Sequence, residues 1–214
     1  MSKLIIVYVF MLFGINLFAQ DNPCNCDPGT QKENQQRSNV KHETNYSSFP
    51  LAEDTITPAT LFKWEKKYKN TVKTITTDPK NPLSARKHGT PEDSMYVLKG
   101  YMWFVKQEDN DCDFHIEIGG KTKNSKRIIV EVPVENCDVL KKIFDKVKSK
   151  GYKVINITAS NAALNHFPKG IPCIVKGLGF YDASHKPNTN HGDKHTYKCT
   201  WELHPVKDIV FQAE

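Results

Sequence analysis

Asp111-Cys112-Asp113-Phe114-His115-Ile116-Glu117-Ile118 alternates polar and apolar residues without a break. Side chains on a strand switch faces at every residue. One face therefore carries Asp111, Asp113, His115 and Glu117, and the other Cys112, Phe114, Ile116 and Ile118. The apolar face requires a core. The polar face suits a metal ion, a proton-transfer pair or a charged ligand, and it equally suits contact with water.

The flanking segments extend this strand into a sheet. Met95 to Lys106 is apolar on both faces, so something covers its outer side, and Gly100 in mid-strand predicts a bulge or sharp bend. Lys126 to Val134 reads as a third strand, with Ile128, Val130 and Val132 on one face and Glu131 on the other. Asp138 to Lys150 has Leu140, Ile143, Phe144 and Val147 at helical spacing and is stopped by Gly151. Tyr152 to Thr158 is a short strand-like run. Cys173 to Tyr181 and Lys198 to Val206 supply two more strands, the last with Trp201 and Leu203 facing inward and Glu202 and His204 outward. Upstream, Thr57-Pro58 reads as a helix cap followed by a first-turn proline. Leu61, Trp64 and Tyr68 then form the stripe with which that helix packs on the sheet.

The chain divides into four stretches. Residues 1–19 have a basic start, an apolar run from Leu4 to Phe13 and a small-residue cleavage point, the pattern of a secretory signal. Residues 20–50 are polar and read as a flexible lead. Residues 51–94 hold the N-terminal helix and an irregular cover, and 95–210 hold the strands. The expected location is secreted or periplasmic, with no membrane span after cleavage. The formal charge of +6 is mild and favours acidic partners only weakly. Six cysteines in an exported chain make disulfides the default. The pairings expected from neighbouring elements are Cys112–Cys137 and Cys173–Cys199.

Three strands, a helix and two further strands, with glycines in mid-strand, make residues 95–210 resemble the oligonucleotide/oligosaccharide-binding (OB) fold. The resemblance implies a mainly β protein, a five-stranded Greek-key barrel with a helix between strands three and four, and a binding face on strands two and three. The blocks Gly177-Leu178-Gly179-Phe180-Tyr181-Asp182 and Trp201-Glu202-Leu203-His204-Pro205-Val206 resemble segments of uncharacterised exported bacterial proteins. No activity attaches to that likeness.

If the His- and Glu-bearing strands are neighbours, Asp113, His115, Glu117, Glu131, Glu202 and His204 share one outer face. Strands lie about 4.8 Å apart, so some of these groups can converge. His115, Glu131 and His204 are the candidate ligands of a divalent metal such as zinc or manganese. Asp113, His115, Glu202 and His204 are the candidate acid, base or ligand groups of a metal-dependent hydrolase acting on a phosphodiester. Arg86, with Asp182 and His185 on a rim loop, are candidate ligand-binding residues. Three readings follow: a domain recognising a polyanion, glycan or protein through this face, the metal-dependent hydrolase, and a structural polar face whose residues satisfy one another.

Overall fold

The computed structural model describes Cys24 and residues 45–68, 70–71, 89–108, 112–152, 166–182 and 199–213. Six strands and two helices follow one another: β1 (Leu51–Ile56), α1 (Pro58–Lys67), β2 (Met95–Gln107), β3 (Phe114–Gly119), β4 (Arg127–Val132), α2 (Cys137–Ser149), β5 (His166–Tyr181) and β6 (Trp201–Phe211). They form one mainly β sheet in the order β1-β2-β3-β4-β6-β5. A further β2–β5 pairing closes five of the strands into a ring. Within the ring all pairs are antiparallel except β4–β6, which is parallel.

The alternation predicted from sequence decides what faces inward. Leu98, Met102, Ile116, Ile118, Ile128, Val130, Val132, Val175 and Leu203 form one interior cluster. α1 adds Leu61 and Trp64 to it, and α2 adds Leu140, Ile143 and Val147. The helices close opposite ends of the parallel β4–β6 pair. Glu65 on α1 accepts from Thr200 N (3.0 Å), just ahead of β6. On α2, Lys142 pairs with Asp208 (2.6 Å), far along the same strand.

α1 therefore packs on the sheet by stoppering its interior, not by covering the outer side of β2. Its stripe meets aromatic edges: the ring centroids of Trp64 lie 4.7 Å from those of Tyr96 and 5.7 Å from those of Trp201. Its start is as predicted, with Pro58 at the first position and Thr57 N–H donating to Thr60 Oγ1 (3.2 Å).

Other expectations are corrected. β1 pairs parallel with β2, although Leu-Ala-Glu-Asp-Thr-Ile lacks an apolar period. β5 begins at His166 and runs through Pro168, Gly170 and Pro172, ahead of the Cys173 at which the sequence reading starts this strand. β3 begins at Phe114, because Cys112 takes a positive φ of 66° and interrupts the extended run. Gly100 shows the reason for its small size: a Cβ there would collide with Ile118 and lie 3.0 Å from Gly119 O. The strand-like run at 152–158 and the expected signal at 1–19 fall outside the described residues, apart from Tyr152.

Both expected disulfides are overturned. Cys137 is bonded to Cys24. Cys112 is also disulfide-bonded, but not to Cys137. Cys173 and Cys199 are buried thiols. Cys173 pairs in register with Phe211, while Tyr181, eight residues along β5, pairs with Trp201, two residues past Cys199. At about 3.3 Å per residue this puts the two thiols near opposite ends of the β5–β6 ladder, out of disulfide reach.

Candidate functional site

Register brings the predicted residues together. His115 on β3 is directly opposite Glu131 on β4. Val130 is opposite Leu203 across the parallel seam, which sets Glu131 beside His204 on β6. Glu131 bridges the two imidazoles. Its Oε1 is 3.2 Å from His115 Nδ1 and its Oε2 is 2.9 Å from His204 Nδ1. The second contact lies outside the direction of a hydrogen bond, so Nδ1 of His204 has a charged neighbour and no aligned acceptor. On the other side of the ring, His204 Nε2 meets Asp113 Oδ2 at 3.1 Å. Asp113 is held in turn by Val134 N–H, which donates to Oδ1 (3.2 Å).

The face is not wet. Asp113 and His204 are fully buried, His115 is 5% exposed and Glu131 9%. Phe180 packs on His204 with ring centroids 5.3 Å apart, and Phe104 stands edge-on to His115 at 6.1 Å. The polar outer face expected from the sequence is thus a second buried layer. α1 does not cover it, since Leu61 and Trp64 belong to the interior.

Burial controls the electrostatics. For His204, burial disfavours the charged ring, but Asp113 and Glu131 more than offset this and raise its pKa from 6.5 to about 10. For Glu131, burial works against the carboxylate, yet His115 and His204 hold its pKa well below the usual range. The cluster therefore carries a His204 imidazolium between two carboxylates. The face also buries Glu117, Glu202 and Arg127. Two ring nitrogens, His115 Nε2 and His204 Nδ1, are buried without a hydrogen-bond partner among the described residues.

Asp113, Glu131 and His204 each offer one ligand atom, all within 4.8 Å of one another. Two carboxylates and an imidazole suit zinc or manganese. The triad differs from the predicted ligand set in one member: His115 contacts Glu131 rather than the shared space, and Asp113 takes its place. Glu117 is engaged by Arg127 Nη1 (3.0 Å). Glu202 points to the same side as His204, two residues away, and is outside the triad. Asp182 is buried at the end of β5, where its N–H donates to Thr200 O (2.9 Å), four residues from His204 along β6. Arg86, His185 and Asp111 fall outside the described residues.

Sequence reading missed Arg127 and Glu65. Arg127 was simply the start of a strand, yet its pairing opposite Gly119 aims it at Glu117, two residues back on the same face. Its guanidinium also stacks 5.3 Å from the Trp103 ring. Glu65 sits on the polar side of α1, and nothing in the sequence links it to Thr200, whose hydroxyl donates to it at 2.6 Å.

No family model matches the chain, and no curated protein does. Among solved structures, the OBody AM2EP06, bound to hen egg-white lysozyme, is similar at a TM-score of 0.33 and 11% identity, over 56% of this chain and 82% of that one. An asparaginyl-tRNA synthetase from Entamoeba histolytica is similar at a TM-score of 0.32 and 12% identity, over 56% of this chain and 21% of that one.

Proposed function

We propose that this chain is an exported, OB-like domain that holds one divalent cation, zinc or manganese, between Asp113, Glu131 and His204. The observation that carries the reading is the convergence of three ligand atoms, from three separate segments, within 4.8 Å in a buried layer rich in carboxylates. A divalent ion of this kind takes both carboxylate-oxygen and imidazole ligands. When bound, it would tie β4 and β6 across their parallel seam to the residue just ahead of β3. His115, donating through Nδ1 to one oxygen of Glu131, would leave the other oxygen for the ion. Support for the OB-like frame comes from the five-stranded ring and from the helix between its third and fourth strands. Support for export comes from the Cys24–Cys137 disulfide, which persists in oxidising compartments.

Hydrolysis stands second. A catalytic ion needs an open coordination position, and two of the three ligands here are fully buried. Recognition of a large ligand through this face is disfavoured by the same burial.

Metal analysis of the full chain after dialysis against zinc or manganese tests the reading. About one ion per chain is expected in the wild type, and none in Asp113→Asn or Glu131→Gln. Metal-free wild type, or variants that retain the ion, would sink it. A phosphodiester cleaved by the loaded protein but not by Glu131→Gln would bring hydrolysis to the front.

A further inference from the structure

Lysines outnumber acidic residues among the exposed positions, where Glu53, Asp54, Glu135, Asp138 and Asp145 are the acidic ones among the described residues. The lysines are most concentrated at the end of the sheet stoppered by α1. Lys63, Lys66 and Lys67 are exposed on this helix, and Lys121, Lys123 and Lys126 are exposed on the turn between β3 and β4. The two groups adjoin. Lys126 Nζ lies 5.6 Å from the Phe62 ring centroid, and an added Cβ on Gly100 would touch both Gly119 O (3.0 Å) and Pro58 Cγ (3.8 Å). The sole acidic residue in these two segments is Glu65, whose Oε2 accepts from both Thr200 N and Thr200 Oγ1.

The turn is a fixed platform. Ser125 Oγ donates to Thr122 O (2.7 Å) and lies 3.1 Å from Gly120 O. Trp103 Nε1 donates to Gly120 O (2.9 Å), and Arg127 Nη2 donates to Lys123 O (3.2 Å). Holding a backbone in place before binding lowers the entropy a ligand must offset. On α1, residues 63, 66 and 67 share one helical face, so their like charges repel and weaken the helix. An anionic ligand relieves that repulsion.

The aromatic rings indicate which polyanion fits. Lys126 lies over Phe62, and Lys67 lies 4.9 Å from the Tyr68 centroid. Ammonium groups occupy the positions where bases would stack, and single-stranded nucleic acid binding relies on such stacking. Compact lysine charges suit anionic groups strung along a chain without bases. We propose that α1 and the β3–β4 turn together bind an acidic polysaccharide, with these lysines contacting its sulfate or carboxylate groups. The surface lies apart from the Asp113–Glu131–His204 cluster, and its binding does not depend on an ion there.

Heparin, as the acidic polysaccharide, tests this with the full chain over a salt series. Combined Lys66→Gln, Lys67→Gln and Lys123→Gln should weaken binding about tenfold and flatten the log–log salt slope by roughly one per lysine removed. The control, Lys141→Gln and Lys148→Gln on α2 with Lys150→Gln just past its end, removes the same charge elsewhere and should leave affinity within about twofold. Circular dichroism confirms that both variants fold. Equal losses in the two variants, no loss in either, or no heparin binding by the wild type would each overturn the proposal. So would a thymidine oligonucleotide that binds as tightly as heparin.

Discussion

Glu131 is the residue on which the candidate site turns, because its two oxygens reach imidazoles on two different strands. Its charge and that of His204 give the metal-free protein a pH signature. The His204 pKa is raised in the fold to about 10, so its contribution to stability is complete below about 6.5 and is lost as pH rises through 10. The Glu131 pKa is lowered, so its contribution is present above about 4.5 and is lost as pH falls through its folded value. Urea unfolding in chelator should therefore show stability greatest between these limits and declining from about pH 6.5 to 10. His204→Gln should remove the alkaline decline; if it persists unchanged, the imidazolium is not where we place it. A metal ion needs the same ring deprotonated, so metal affinity should rise over the range in which the metal-free form weakens. The meeting of His115, Glu131 and His204 was legible in sequence, since period-two alternation and strand adjacency suffice. The inclusion of Asp113 in place of His115 was not. That exchange depends on which carboxylate meets His204 Nε2 across the sheet, a contact that no residue pattern announced.

Among the elements, β3 and β4 carry the clearest energetic prediction. Glu117 and Arg127 form a buried pair, and removing one partner leaves an uncompensated charge in a dry layer. Glu117→Ala should destabilise by roughly 3–5 kcal/mol, read as a shift in denaturant midpoint. A loss below about 1 kcal/mol would mean that water reaches Arg127 and that the layer is open. Element types were largely readable. Helix α2 has an apolar stripe ending at a glycine, and Gly151 has a φ of 75° where the helix stops. β1 escaped because an edge strand with one buried residue, Ile56, needs no alternation. The first half of β5 escaped because Pro168 and Pro172 argue against a strand by local rules, whereas pairing of His166, Ile171 and Pro172 with β2 overrides them.

The molecule as a whole is a ring with a tether, and both parts act over long stretches of sequence. Cys24–Cys137 closes a loop spanning 113 residues and fixes Cys24 to the first turn of α2. On the chain-entropy scale a loop of this size contributes about 4–5 kcal/mol. Cys24→Ser with Cys137→Ser should lower the unfolding free energy by about that amount, measured against wild type in the same denaturant series. An unchanged value would show that the lead adds nothing to the fold. Neither this pairing nor the buried state of the polar face could be read from residues alone, because both depend on which distant segments come to rest together. The order of the ring has a consequence of its own. β6 follows β4 and β5 in the chain, yet it lies between them. Until residues 201–211 are in place, those two strands keep edges that no earlier strand among the described residues fills. Open strand edges are templates for pairing with other chains, so the arrival of β6 is the step that protects this sheet from foreign strands.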